Sequence, residues 1–137
     1  MTLVAIHQPN FFPWLGFFDK IVRADTFILL DNVQFQKTGG TWTNRVRLLT
    51  GPKDDWVTLP VQRDYHGVLA ISEMHLQKIG FPRWKEKFPK TLRMNYGKHP
   101  WFPEVFDLVE DCLDYDGDRL AEFNIRNIKR IMEFVGW

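Results

Sequence analysis

The sequence has a single cysteine, Cys112, among its 137 residues. One cysteine excludes an intrachain disulfide and a cysteine metal cluster, and it fits a reducing compartment such as the cytoplasm. His66, His75 and His99 show no metal-ligand spacing, and there is no Ser-His-Asp signature. We therefore expect no metal site, while the sequence leaves the identity of any cofactor open.

An excess of positive charge is also missing. The chain has 18 Lys and Arg against 17 Asp and Glu, a net charge of +1. Residues 78–98 do hold seven basic residues and one acid, interleaved with aromatic residues in the manner of a single-strand nucleic-acid groove. However, Trp84 and Phe88 lie at helix-core spacing, which favours an amphipathic helix with solvated lysines. With the low net charge, this predicts no nucleic-acid partner.

No long apolar run is present. Residues 2–18 lack charge, but histidine, proline and amide residues interrupt them. No basic segment precedes this stretch and no small-residue cleavage site follows it. We predict neither a signal peptide nor a membrane span, and a cytoplasmic location. Because 45% of the residues are hydrophobic and 15% aromatic, we expect one folded domain over 1–137.

Two short apolar runs near the N-terminus predict parallel strands. Leu3–Ile6 and Thr26–Leu30 have the length of buried strands, and Leu15–Arg23 between them has helical periodicity. Strand, helix and strand in this order predict a βαβ unit over 1–36, with the two strands adjacent.

A β-rich middle is expected over 37–77. Thr41–Leu49 and Trp56–Val61 are joined by turn residues and predict a hairpin, and Val68–Leu76 suggests a further strand. The expected fold class is α/β, with a Rossmann-like parallel-sheet core, a β-hairpin insertion and a helical C-terminal half.

The helical part covers 78–137. Pro89 is expected to kink or divide its first helix, and Asp116 or Asp118 to cap its last helix. A helix in such folds normally leads into another strand, so we expect a truncated fold in which Val135–Trp137 approaches the sheet.

The loop after the first strand carries the most informative residues. Ligands of open α/β sheets bind at the carboxyl ends of strands, where His7, Gln8 and Asn10 are found, and Gly16 would permit close approach. Asp31 closes the second strand at the same edge. The alternative is a loop that only fills the core, with Asp31 as a turn residue.

Two further groups are candidates for ligand contact. Lys37, Arg45 and Arg47 accompany two glycines and would suit a phosphate or carboxylate, although the order of residues is not that of a Walker loop. The alternative is an exposed basic strand face. Asn124 lies near the apolar face of the last helix and would either touch a ligand or join a buried network.

The stretch His7–Ile21 resembles the opening motif of the WbqC-like family. Ala24–Phe27, Asp31–Phe35, the Asn44-Arg45 pair and Trp56–Val61 also fit that family, as do Asn95–Phe102 and the late pattern of Leu120, Asn124 and Ile128. The Lys37–Asn44 connection is slightly longer here, and family members usually continue beyond the equivalent of Trp137.

The resemblance implies modification of a sugar in bacterial O-antigen or other surface-polysaccharide biosynthesis, with transfer of an acyl or aminoacyl group such as glycine as a suggested reaction. A weaker similarity links the first 35 residues to nucleotidylyltransferases such as pantothenate synthetase. Those enzymes hold nucleotide phosphates with a His-x-Gly-His motif, but here the matching residues are Trp14-Leu15-Gly16-Phe17, without either histidine.

Together these features predict a transferase that binds a nucleotide, a nucleotide-sugar or an activated acyl donor. His7 and Asp31 are the predicted catalytic residues. The predicted ligand-binding residues are Gln8, Asn10, Gly16, Gln34, Lys37, Asn44, Arg45, Arg47 and Asn124. The alternative is a non-catalytic nucleotide-binding or partner-binding module. Spare aromatic surface also makes a homo-oligomer a possible assembly.

Overall fold

The computed structural model describes all 137 residues as a mixed α/β protein with four helices and two separate two-stranded sheets. The strands are β1 (Val4–His7), β2 (Thr26–Leu29), β3 (Arg45–Leu49) and β4 (Asp54–Thr58). The helices are α1 (Leu15–Arg23), α2 (Gly80–Tyr96), α3 (Phe102–Leu113) and α4 (Leu120–Val135), with a short 3₁₀ turn at Ile71–Glu73.

The predicted βαβ unit is confirmed. β1 and β2 pair in parallel, with Val4 opposite Thr26 and His7 opposite Leu29. One face of this sheet packs with α1, where Phe17 and Phe18 are buried. Its other face leaves large apolar side chains such as Ile6 and Ile28 exposed. The parallel sheet has only these two strands, so the larger Rossmann-like core is not confirmed.

The predicted hairpin is also confirmed. β3 and β4 are antiparallel, with Arg45 opposite Thr58 and Leu49 opposite Asp54. The prediction of a strand over Val68–Leu76 was wrong, because this stretch forms the 3₁₀ turn flanked by isolated bridges. Those bridges pair it with several distant segments, so no continuous ladder develops.

One expectation for the helices was wrong, because the N-cap of α4 is Arg119 rather than an aspartate. α2 continues through Pro89 without dividing. The Asp118 carboxylate instead accepts a hydrogen bond from His75 Nδ1 at 2.9 Å. α4 ends at Gly136, whose φ of 76° suits glycine and closes the last turn.

The main core lies between the middle segment, α2 and α4 rather than under the parallel sheet. It contains thirteen buried residues, among them Phe11, Phe35, Met74 and Phe123. A smaller cluster joins α1 to α4 through Phe17, Phe18 and Ile128. The Trp137 ring lies 6.5 Å from that of Phe18, so the C-terminal residues pack beside α1.

Candidate functional site

His7 and Asp31 lie at the carboxyl edge of the parallel strands. His7 is the last residue of β1, and its carbonyl accepts a hydrogen bond from Leu30 N at 2.8 Å. Asp31 is the residue after Leu30, and its carbonyl accepts a hydrogen bond from Ser72 N at 2.9 Å. Backbone pairing therefore fixes the positions of the two predicted catalytic residues relative to each other.

The His7 ring is held in one orientation. Its Nδ1 lies 2.9 Å from the carbonyl oxygen of Gln8, and the ring packs edge-on against Phe17 with 5.0 Å between ring centroids. Because a carbonyl can only accept, Nδ1 carries the proton and Nε2 keeps a free lone pair in the neutral ring. His7 thus has the form of a general base.

Three of the four buried asparagines lie in or near the β1–α1 loop: Asn10, Asn44 and Asn124, which we call the amide cluster. The Asn124 Nδ2 donates to the carbonyl of Pro9 at 2.9 Å and to that of Thr43 at 2.7 Å. α4 therefore connects the β1–α1 loop to the residues that lead into β3.

Two oxygens of the amide cluster have no partner. Asn44 Nδ2 donates to the Leu59 carbonyl at 3.2 Å, but the Oδ1 atoms of Asn44 and Asn124 are buried and unpaired. A buried acceptor without a donor is costly and unusual in a native protein. Both oxygens are closed off from solvent, so a ligand does not reach them in this structure.

The three predicted anion-binding cations already have partners within the protein. Lys37 Nζ donates to the Tyr65 carbonyl at 2.6 Å, and Arg47 forms a 2.8 Å ion pair with Asp54. Arg45 lies over the Trp56 ring, 4.0 Å from its centroid. Stacking orients the Arg45 guanidinium in advance for a ligand phosphate. To bind Lys37 or Arg47, the phosphate would have to compete with the partners that these residues already have.

The remaining predicted residues fall into two groups. Gln8 is half-buried in the β1–α1 loop, and Gln34 is exposed and forms an isolated antiparallel bridge with Ala70. Gly16 faces the Trp14 ring, which a Cβ atom would overlap. In this structure the space beside the glycine is therefore occupied by the tryptophan ring.

Sequence reasoning missed several residues that shape this region. Thr43 is buried and gives its carbonyl to Asn124, while Gly40 has a φ of 73° and lies so close to the Arg45 guanidinium that a Cβ would overlap it. The Gly39-Gly40 pair was a visible signal. Phe12 has a φ of 40°, which nothing in the sequence indicates.

Strongly perturbed ionisable groups lie elsewhere. Burial raises the pKa of the Cys112 thiol to about 12. Burial, with the hydrogen bond to Glu122, raises the pKa of Tyr115 to about 12. The hydrogen bond from His75 lowers the pKa of Asp118. No three His, Cys, Asp or Glu side chains are grouped to hold a metal ion.

The comparisons with known proteins agree on one family. A family model described as the WbqC-like protein family matches residues 8–137. The uncharacterized protein Rv1507c of Mycobacterium tuberculosis is 32% identical over 137 residues, covering 99% of this chain. The chain spans 57% of the length of that relative. No solved structure matches. No helix has the length and apolar character needed to cross a membrane.

Proposed function

Because the chain belongs to the WbqC-like protein family, we propose that it is a transferase that modifies a sugar in bacterial surface-polysaccharide biosynthesis. The proposed donor is a nucleotide, a nucleotide-sugar or an activated acyl or aminoacyl compound, and the proposed location is the cytoplasm. The observation that carries the proposal is the His7 ring, oriented at the carboxyl edge of two parallel strands with one nitrogen free to take a proton.

The proposed reaction is attack of a sugar hydroxyl or amine on the activated group of the donor. A new bond forms from the sugar oxygen or nitrogen to that group, and the bond to the leaving group breaks. His7 Nε2 takes the proton that the nucleophile loses. Asp31 orients the hydroxyl or amine by accepting its hydrogen bond.

Ligand binding is assigned to the surroundings of this edge. Gln8 and Asn10 supply amide groups from the β1–α1 loop, while the buried side chains of Asn44 and Asn124 support the site by binding backbone carbonyls. Arg45 is the proposed phosphate or carboxylate contact, because stacking on Trp56 leaves the edge of a guanidinium able to donate. Gln34, Lys37 and Arg47 complete the proposed binding residues.

The test measures donor binding first and catalytic turnover second. Calorimetric titration with a panel of nucleotides, nucleotide-sugars and acyl-nucleotides identifies a donor, and product formation is then followed with sugar acceptors. His7→Gln should lower the rate by roughly 10²–10⁴ and change donor affinity by less than about twofold. His66→Gln, at an exposed histidine, is the matched control. Unchanged turnover in His7→Gln would contradict the proposal.

A non-catalytic nucleotide-binding or partner-binding module is the second candidate. It is favoured by the internal pairing of Lys37 and Arg47, which leaves little free positive charge for a reacting phosphate. Saturable binding without turnover of any panel member would support this second function.

We also propose a homo-oligomer. The face of the β1–β2 sheet turned away from α1 exposes Val4, Ile6 and Ile28. Parallel sheets are normally covered on both faces, and a second copy of the chain would cover this one.

A further inference from the structure

An apolar cavity lies in the helical half, apart from the polar groups of the candidate site. It has a volume of about 470 Å³ between α2 and α3, and ten of its eleven lining residues are hydrophobic. This volume is typical of small-molecule pockets. Protein interfaces engage roughly 20–30 residues on each side, so eleven residues are too few for a folded partner.

One wall of the cavity is built under backbone strain. Phe12 lines the cavity with its ring stacked on Phe88, 5.9 Å between centroids. Its φ of 40° is in the left-handed region, which is unfavourable for a bulky residue and tends to occur at functional positions. Because Phe12 belongs to the β1–α1 loop, the loop that follows His7 also forms part of this cavity.

The polar side-chain atoms of the lining belong to three residues that are close in sequence, Tyr96, His99 and Trp101, and all other lining side chains are purely hydrocarbon. The Tyr96 and His99 rings are neighbours, with 6.1 Å between their centroids. The Tyr96 hydroxyl accepts a hydrogen bond from Leu49 N at 2.8 Å, which leaves its own proton available for a ligand oxygen. The two helices of the cavity differ in charge, because α2 lies in a segment, 78–98, with seven basic residues and one acid, whereas α3 carries four acids and no base.

We propose that this cavity binds a medium-length acyl chain, with the oxygen atoms at its polar end directed to Tyr96 and His99. An apolar body fits the hydrocarbon walls, and a carboxylate or thioester carbonyl fits the hydroxyl and imidazole donors. The proposal concerns binding and stands without the proposed transferase activity.

The first experiment is a chain-length series on the whole protein. Calorimetry with hexanoate, octanoate, decanoate and dodecanoate should show affinity rising about threefold for each added methylene until the cavity is filled. Decanoyl-pantetheine in place of decanoate distinguishes a thioester-bound chain from a free carboxylate. A flat series, or no saturable binding of decanoate at about 1 mM, would overturn the proposal.

Variants locate the binding. Val105→Trp, on the cavity wall, should weaken decanoate binding at least tenfold, whereas Val22→Trp, on the exposed side of α1, should leave it unchanged. Tyr96→Phe should weaken decanoate binding several-fold while keeping the dependence on chain length. Circular dichroism checks each fold, and if Val105→Trp does not fold, the chain-length series of the wild-type protein decides.

A membrane surface is the competing explanation. Co-sedimentation with phosphatidylcholine vesicles should be absent if the cavity takes a single small molecule. Vesicle binding that is equal in the wild-type protein and Val105→Trp would overturn the proposal, as would equal decanoate affinity in the two tryptophan variants.

Discussion

The Arg45 side chain stacks on an aromatic ring and can still donate hydrogen bonds to a ligand. Its guanidinium lies over Trp56 and donates to the Gly39 carbonyl at 3.4 Å, a long and therefore weak hydrogen bond. The stacking energy of such a pair is about 0.5–1 kcal/mol at exposed sites. A bound phosphate would offer two stronger, charge-assisted hydrogen bonds to the same group.

Arg45→Ala should therefore weaken binding of the nucleotide or nucleotide-sugar donor by about 1.5–3 kcal/mol. Arg45→Lys should recover only part of this, because an ammonium group cannot form the two parallel hydrogen bonds. Arg83→Ala, an exposed arginine on α2, is the matched control for calorimetric titration. Unchanged affinity combined with a large fall in melting temperature would show that Arg45 is structural.

Cys112 gives a prediction about pH. Burial raises its pKa from an ordinary value near 9 to about 12, so the folded protein keeps the thiol protonated where the unfolded chain ionises. A raised pKa contributes stability that is complete below the unfolded pKa and is lost as the pH rises. The free energy of unfolding should thus fall between about pH 9 and pH 12.

Urea unfolding at pH 7, 9 and 10.5 measures this loss of stability. The free energy of unfolding of Cys112→Ala should fall less steeply with pH than that of the wild-type protein. Tyr115 adds a loss of the same sign, because its pKa is also raised to about 12. At pH 8 an alkylating reagent should modify Cys112 only after unfolding. Rapid modification of the native protein would contradict the assigned burial.

At the scale of elements, α4 organises the candidate site. Its residue Asn124 binds two carbonyls from segments that are far apart in the chain, Pro9 and Thr43. The Phe11 N–H also donates to the Trp42 carbonyl at 2.9 Å, which joins the same two segments directly. The β1–α1 loop is therefore fixed by α1, which follows it, by the residues that lead into β3, and by α4.

Asn124→Ala should destabilise the protein by about 2–4 kcal/mol, because two carbonyls lose their shared buried donor. Asn124→Asp should be at least as damaging at neutral pH, since it also places a charge in the interior. Lys129→Ala, exposed on the same helix, should stay within about 0.5 kcal/mol. Denaturant melts of the three variants provide the test, and equal stability of the alanine variants would contradict this role.

The whole molecule distributes its apolar surface unevenly. The main core is closed between the middle segment, α2 and α4, whereas the parallel sheet has one covered and one uncovered face. A two-stranded sheet is marginal unless it packs on something else. Here one side packs on α1 and α4, and the other leaves Ile6 at 54% exposure.

Self-association through that face should be visible by sedimentation velocity. Ile6→Glu should shift the protein toward a monomer, because a charge would have to be buried at the interface. Met94→Glu, at an 86% exposed position on α2, is the matched control and should sediment like the wild-type protein. A wild-type protein that is monomeric at about 100 μM would contradict the proposed oligomer.

The elements that depend on neighbouring residues were predictable from the sequence alone. Hydrophobic period and turn chemistry were sufficient for the parallel pair β1 and β2, for α1 between them and for the β3–β4 hairpin. The motif His7–Ile21 also indicated the family, since it places polar residues at a strand end in a recognisable order. These properties are local, and the chain encodes them within short windows.

The partners of the site residues become apparent only in the folded protein. Asn124 reaches Pro9 across 115 positions, and Lys37 reaches Tyr65 across 28, so no local pattern indicates either bond. The segment Val68–Leu76 has strand-like composition but forms isolated bridges to distant neighbours. Phe12, whose φ is 40°, likewise stacks on Phe88, a residue distant from it in the chain. Long-range packing overrides local propensity at these positions, because burial and hydrogen bonding there depend on the arrangement of the whole chain.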